Sequence, residues 1–255
     1  MREEVREQDE PSRLAMRAAE RGTGSRRAWR GQGAAMAALL AVMAGSVAAA
    51  QTSPAAQRFV VVLDAAHGGD DAGAHLGNQP EKAYTLALSV RLRSLLTARG
   101  FAVVTTRESD EAIEPDRRAE IANHAAPQAC LSLHASLSGS GVHLFVSSLA
   151  PVEPKPFVPW KTAQAAWVSK SLTLAGTLDS ALSHATVPVT LGRTALPAVE
   201  SMTCPAVAVE IAPNRSSGAQ GPSGFDDPQY QTRVVEALAA ALVEWRAEQK
   251  GERQP

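Results

Sequence analysis

Two short apolar runs constrain this chain more than any other feature. "FVVVL", residues 59–63, and "PAVAVEIAP", residues 205–213, are dominated by aliphatic residues and lack the polar alternation of a half-exposed strand. A strand that reads this way is buried on both faces, as in a parallel sheet covered by helices. The segments between them agree. In "EKAYTLALSVRLRSLLTARG", Tyr84, Leu88, Leu92, Leu95 and Leu96 share one helical face, and Gly100 stands where a helix C-terminal glycine belongs. "FAVVTTR" (101–107), "ACLSLHAS" (129–136) and "GVHLFVSS" read as further strands. "PDRRAEIANHAA" reads as a short helix ended by Pro127. Residues 161–184 read as a helix, and residues 228–247 as a last amphipathic helix with Val235, Leu238, Leu242 and Trp245 inward. Alternating strands and helices predict an α/β fold: a single domain with a mixed, mostly parallel sheet flanked by helices on both faces.

The first 50 residues follow another logic. Residues 1–33 are polar and arginine-rich, and residues 34–50, "AAMAALLAVMAGSVAAA", carry no charge. Basic region, apolar region and small residues is the order of an export signal, with cleavage expected near Ala50. "SRRAWR" resembles a twin-arginine signal through Arg26 and Arg27, with Trp29 in place of the usual Phe. The expected organisation is an export signal over 1–50, a linker over 51–57, a catalytic domain over 58–247 and a polar tail over 248–255. The product would be exported, periplasmic or extracellular. The apolar stretch is too short and alanine-rich for a stable membrane span in the mature form. After residue 50 there are 17 Lys and Arg against 20 Asp and Glu, a net charge of −3. With no basic patch, nucleic acid is excluded as a partner. Cys130 and Cys204 are too few for a cysteine-rich zinc site. A disulfide between them requires neighbouring strands and an oxidising compartment, and the sequence leaves that pairing open.

Chemistry gathers at the strand ends. The first strand runs into "LDAAHGGDD", with Asp64 and His67; the third ends at His134; "VAVEIAP" is interrupted by Glu210; and Glu81 opens the first helix. In a parallel sheet the strand C-termini and the following helix N-termini share one edge, so residues this far apart in sequence can converge. Two imidazoles and a carboxylate suit zinc, which keeps a fourth position open for catalysis. A further carboxylate that is not a ligand can carry the proton of the attacking water, and Glu210 fits that task. Each residue also has a plain reading: His67 as a turn cap, His134 as a core histidine, Glu81 as a first-turn acid favoured by the helix dipole. Glu210 is hardest to read plainly, because a carboxylate in a buried strand must be paired or functional. His75, His124, His143 and His184 read as surface or structural residues.

Together these segments resemble the zinc-dependent N-acetylmuramoyl-L-alanine amidases of the cell-wall hydrolase type. That family runs D-P-G-H-G-G, a glutamate–lysine pair, T-R, E-R-x-x-I-A-N, S-I-H-A-N and a late P-A-x-L-V-E, and residues 58–247 carry the counterparts in order. The resemblance implies a mostly parallel sheet and one zinc ion per chain held by His67, Glu81 and His134, with Glu210 as the catalytic acid/base. It implies hydrolysis of the peptidoglycan amide between the lactyl group of N-acetylmuramic acid and L-alanine, with Glu210 passing a proton to the departing nitrogen. Asp64 is expected to orient the turn or a ligand from behind, and an activator protein is a candidate partner.

The departures touch neither ligand nor acid. Ala65-Ala66 replaces Pro-Gly, Ser136 replaces Asn, and Ile211-Ala212-Pro213-Asn214 follows Glu210. Some relatives insert a blocking helix, but here the room between Val146 and Val187 is modest. Two other readings compete: an inactive relative that binds peptidoglycan or an envelope protein, and a zinc peptidase cutting a different wall amide. "PVEPKPFVPW" reads as a loop pinned by Phe157 and Trp160, with a substrate-facing lip as the competing view.

Overall fold

The computed structural model describes residues 58–155, 157–216 and 223–251. The expected export signal, with its Arg26-Arg27 pair, and the expected linker lie outside the described residues, as does the end of the tail.

A six-stranded sheet forms the centre. In chain order its strands are β1 (Val60–Ala65), β4 (Ala102–Thr105), β5 (Ala129–Ala135), β6 (Val142–Ser147), β7 (Val189–Thr194) and β8 (Ala206–Ile211), with a two-residue hairpin of β2 (His75–Leu76) and β3 (Gln79–Pro80) outside it. The spatial order is β4-β1-β5-β8-β6-β7. The first four are parallel, β6 is antiparallel to β8, and β7 is parallel to β6. The mixed, mostly parallel α/β domain read from the sequence is therefore the fold. The buried runs explain the order: β1, β5 and β8 lie at its middle and are almost wholly buried, while the edge strand β7 is half exposed.

Among the described residues five α-helices cover the sheet: α1 (Glu81–Ala98), α2 (Pro115–His124), α3 (Val168–His184), α4 (Pro197–Glu200) and α5 (Pro228–Gly251). One face packs Val61, Leu63, Leu131, Leu133, Val207 and Val209 against the apolar stripes of α1, α3 and α5, giving the larger core. The other packs Val62, Cys130 and Ala206 against Ala119 and Ala122 of α2 and against Val199 and Met202. This second layer is thin and leaves room toward the strand ends. Helix α1 closes as its glycine suggested: Gly100 donates to the Thr97 carbonyl and Phe101 to that of Leu96.

The hairpin β2/β3 and the short α4 add to the sequence reading, and other parts differ from it. The helix read over 161–184 is two pieces, a 3₁₀ segment at Trp160–Ala166, kinked at Thr162, and then α3, the two meeting at Trp167 with φ −115°. Strand β7 was not anticipated. Phe157 anchors nothing: it is 94% exposed. Cys130, at the start of β5, is bonded to Cys204, just before the neighbouring β8. No helix among the described residues is long and apolar enough to cross a membrane.

Candidate metal centre

The turn after β1 is built under constraint. His67 has φ +62°, a left-handed conformation that a non-glycine residue adopts only when its surroundings impose it. Two buried arginines impose it. Arg107 donates to the carbonyls of Ala65 and Ala66 at 2.9 and 3.0 Å. Arg118 donates to those of Ala65 and His67, both at 2.7 Å. Arg118 is itself held by Asp64 at 2.7 Å. Asp64 also accepts from Thr106 and Ser132, at 2.7 and 2.8 Å. Burial alone would raise the Asp64 pKa; Arg118 and the two hydroxyls outweigh it and hold the carboxyl below the usual carboxylate range. The strand-ending acid is thus the anchor of the clamp.

His67, Glu81 and His134 converge above this turn, and their donor atoms lie within 4.8 Å of one another. Glu81 stands at the N-terminus of α1, where the helix dipole favours negative charge. Its Oε2 accepts from the Ala74 amide and its Oε1 from the Ala135 amide, both at 3.0 Å. His67 Nε2 lies 3.1 Å from Oε2, and His134 Nδ1 lies 3.2 Å from Oε1. Burial would raise the Glu81 pKa, but these two histidines and two amides drive it far below the usual range.

The outward nitrogens are also engaged. His67 Nδ1 lies 2.8 Å from Asp71 Oδ2, which fixes the ring so that Nε2 is the nitrogen turned toward the centre. His134 Nε2 lies 3.4 Å from Ser132 Oγ, whose proton goes to Asp64, so its Nδ1 is the nitrogen turned toward the centre. Fixing the tautomer through the far nitrogen is how proteins prepare histidine for a metal. Gly73 leaves the space: a Cβ there would lie 2.6 Å from the His67 ring and 2.8 Å from Glu81. Two imidazole nitrogens and an ionised carboxylate within one small radius can hold a divalent metal in place of the protons they share.

Glu210 belongs to the same sheet row. His134 of β5, Glu210 of β8 and His143 of β6 are directly opposed across adjacent strands and share a face. His143 Nδ1 donates to Glu210 Oε1 at 2.8 Å. Gly139 lies against the His143 ring, where a Cβ would sit 2.2 Å from Cε1. The structure therefore gathers every residue singled out from the sequence: three around the centre, Glu210 in the adjoining row and Asp64 beneath. Sequence reasoning missed Asp71, Arg107, Arg118 and His143. Asp71 lies four residues after His67, and both arginines lie inside quoted motifs; those were available signals. The pairing of His143 with Glu210 needed the antiparallel register of β6.

A pocket of about 290 Å³ opens over the centre, lined by His67, Asp71, His134 and residues of α2 and α4. None of its described lining residues comes from 146–187, the region where a blocking helix would insert.

These features are those of a metal-hydrolase fold with its centre at the carboxyl edge of a mostly parallel sheet. The family described as N-acetylmuramoyl-L-alanine amidase matches residues 61–244, and this chain belongs to it. Among curated relatives, the germination-specific N-acetylmuramoyl-L-alanine amidase of Bacillus subtilis is 33% identical over 89 residues, covering 29% of this chain and 38% of that protein. The amidase Rv3717 of Mycobacterium tuberculosis is 39% identical over 74 residues, covering 27% and 31%. The matched stretches thus span about a third of those relatives. Among solved structures, Ami1 of Mycobacterium smegmatis superposes with a TM-score of 0.59 at 22% identity, over 74% of this chain and 97% of that one. The catalytic domain of CwlV from Bacillus (Paenibacillus) polymyxa gives 0.57 at 24% identity, over 74% and 98%.

Proposed function

We propose that this protein is an exported zinc amidase that hydrolyses the peptidoglycan amide between the lactyl group of N-acetylmuramic acid and L-alanine. The observation that carries this reading is the convergence of His67, Glu81 and His134 with Glu210 in the adjoining row. His67 Nε2, His134 Nδ1 and the ionised Glu81 carboxylate would form the ligand set for one zinc ion, which takes the place of the protons they share. When bound, zinc supplies Lewis acidity and brings a water's pKa toward about 7. Glu210 takes the proton of the attacking water and delivers it to the alanine nitrogen as the amide breaks. His143 holds Glu210 Oε1, so that Oε2 is the oxygen left to work. Asp64 steadies the centre twice, through Arg118 on the turn and through Ser132 on His134.

Two observations support the setting. The Cys130–Cys204 bond fits an oxidising compartment outside the cytoplasm. An activator is a candidate partner beside the peptidoglycan substrate: CwlD of Clostridioides difficile, similar in fold, is known in complex with the GerS lipoprotein.

The test measures metal and reaction on one sample. The purified protein is expected to hold about one zinc per chain and to release stem peptides beginning with L-alanine, read by mass spectrometry. Glu210→Ala should keep the zinc and lose the cleavage. Zinc without cleavage by the unaltered protein would favour a wall-binding relative, a cut within the peptide would favour the peptidase, and absence of zinc would sink the centre.

A further inference from the structure

The pocket over the centre lies to one side of it. Its walls come from β1 and the turn after it, from β5, and from the segments that open α2 and α4; none comes from β6, β7 or β8. Glu210 and His143 stand on β8 and β6, beyond His134 in the strand order. The centre therefore separates the pocket from the proton-carrying carboxylate.

The glycine pair after His67 builds one wall of that pocket. Residues 110–113 lie directly on the turn: a Cβ on Gly68 would meet the Glu111 carbonyl oxygen at 2.2 Å, and one on Gly69 the Ala112 nitrogen at 2.6 Å. Asp110 fastens the segment, accepting from the Gly69 amide at 2.8 Å and from Lys82 at 2.7 Å. Arg118 donates to the Ile113 carbonyl at 2.9 Å. Ile113 is thus held in the lining, and it packs into neither hydrophobic core. Leu196 and Val199, from the α4 segment, complete the aliphatic wall. The charged groups of the pocket are already paired, Asp64 with Arg118 and Asp71 with His67. Past Pro115 and Pro197, which line both, a depression continues with Glu114, Asp116 and Glu200 against Lys161 alone. That negative surface repels carboxylates and is indifferent to a neutral sugar.

On the Glu210 side the charge is reversed. Arg215 follows the end of β8 by four residues and is exposed. Its guanidinium donates to the Leu137 carbonyl at 2.7 Å and makes no ion pair among the described residues. Leu137 follows His134 by three residues, in the loop whose Gly139 abuts the His143 ring.

We propose that these two sides fix the direction in which the substrate crosses the centre. The muramoyl group enters the pocket, its lactyl methyl and sugar against Ile113 and Leu196. The leaving peptide runs over the Glu210–His143 row, with a stem-peptide carboxylate on Arg215. This rests on the amidase reading and names specificity residues for it. Glu210 delivers its proton to the departing nitrogen, so that nitrogen lies on the Glu210 side of the carbonyl carbon and the acyl substituent points the other way. Charge agrees: the lactyl and sugar side of the amide is uncharged, whereas the stem peptide carries free carboxylates.

The experiment alters one side of the substrate at a time. The full chain, zinc-loaded, is given a muramoyl-L-alanyl stem peptide, the same peptide bearing a lactyl group without the sugar, and muramoyl-L-alanine methylamide, which has no peptide carboxylate. The unaltered protein is expected to favour the first over each of the others about tenfold in kcat/KM. Ile113→Trp fills the pocket and should reduce the preference for the sugar to less than about twofold, while the lactyl peptide is still cut. Arg215→Ala should remove the preference for the carboxylate and keep that for the sugar. Side-chain NMR gives a second readout: N-acetylmuramic acid should shift the Ile113 methyl resonances, and free stem peptide the Arg215 Nε–H resonance. These contacts decide the matter should Ile113→Trp be inert on every substrate. Exchanged effects, with Ile113→Trp acting on peptide charge and Arg215→Ala on the sugar, mean that the substrate runs the other way and overturn the proposal. Variants that leave both preferences intact overturn it too. Cleavage of none of the three by the unaltered protein sinks the amidase reading; cleavage of all three at equal kcat/KM sinks the direction alone.

Discussion

Glu210 and His143 face each other across the seam where the sheet changes from parallel to antiparallel. A carboxylate that must collect a proton from one direction and deliver it in another gains from having one oxygen fixed. His143 does this at 2.8 Å, with its own ring confined by Gly139. Losing a hydrogen bond to a charged group removes about 1.5–3 kcal/mol, or roughly a 10- to 100-fold change in rate. His143→Ala is therefore expected to lower kcat by that factor with KM little changed, and His143→Gln, which keeps a donor, to recover part of it. A fall confined to KM, or an inert variant that Gln does not improve, would deny His143 this positioning role. Sequence alone could not weigh His143 against the other histidines, because its partner lies 67 residues away. His67, His134 and Glu210 were legible because each ends a strand.

Among elements, the turn after β1 shows how much a motif can conceal. The sequence made clear that the strand stops at an acid and that glycines follow. It did not reveal that the acid grips Arg118 and that Arg118 grips the turn, since the clamp is assembled from β1, α2 and the end of β4. Strand β7 stayed hidden for a related reason: an exposed edge strand has no buried period to read. The broken helix after Trp160 stayed hidden because its composition is helical throughout. The clamp carries a pH signature. Asp64 has a lowered pKa in the folded protein, so the folded state binds fewer protons than the unfolded one. Its stabilisation is complete above the unfolded value of about 4 and is lost as pH falls below that, through the folded pKa. Asp64→Asn breaks a buried ion pair and should destabilise by about 3 kcal/mol near neutral pH. It should also flatten the decline in stability below about pH 4. Denaturant unfolding of both proteins between neutral and acidic pH reads both effects; parallel curves would show that Asp64 is not the titrating anchor.

At the scale of the molecule, the proposed catalytic row depends on β5 and β8 keeping register, since His134 and Glu210 come from these two neighbours. The Cys130–Cys204 bond ties the start of β5 to the approach of β8, across 74 residues of sequence. That stretch contains β6, α3, β7 and α4, so the bond closes one long loop within the domain. A crosslink over so long a loop mainly restricts the unfolded chain, and contributes about 2–4 kcal/mol. The pairing was left open by the sequence because it depends on strand order, and two cysteines carry no information about that. Reduction, or the double replacement Cys130→Ala with Cys204→Ala, is expected to lower the unfolding free energy by that amount, with a lower denaturant midpoint and a steeper slope as the freed unfolded chain expands. The comparison must be made at one saturating zinc concentration, because a metal bound only by the folded state adds stability of its own. At that concentration the reduced protein should retain its zinc and its cleavage activity, since no ligand is lost. A loss of zinc on reduction would instead mean that the bond maintains the spacing of the centre as well as the stability of the sheet.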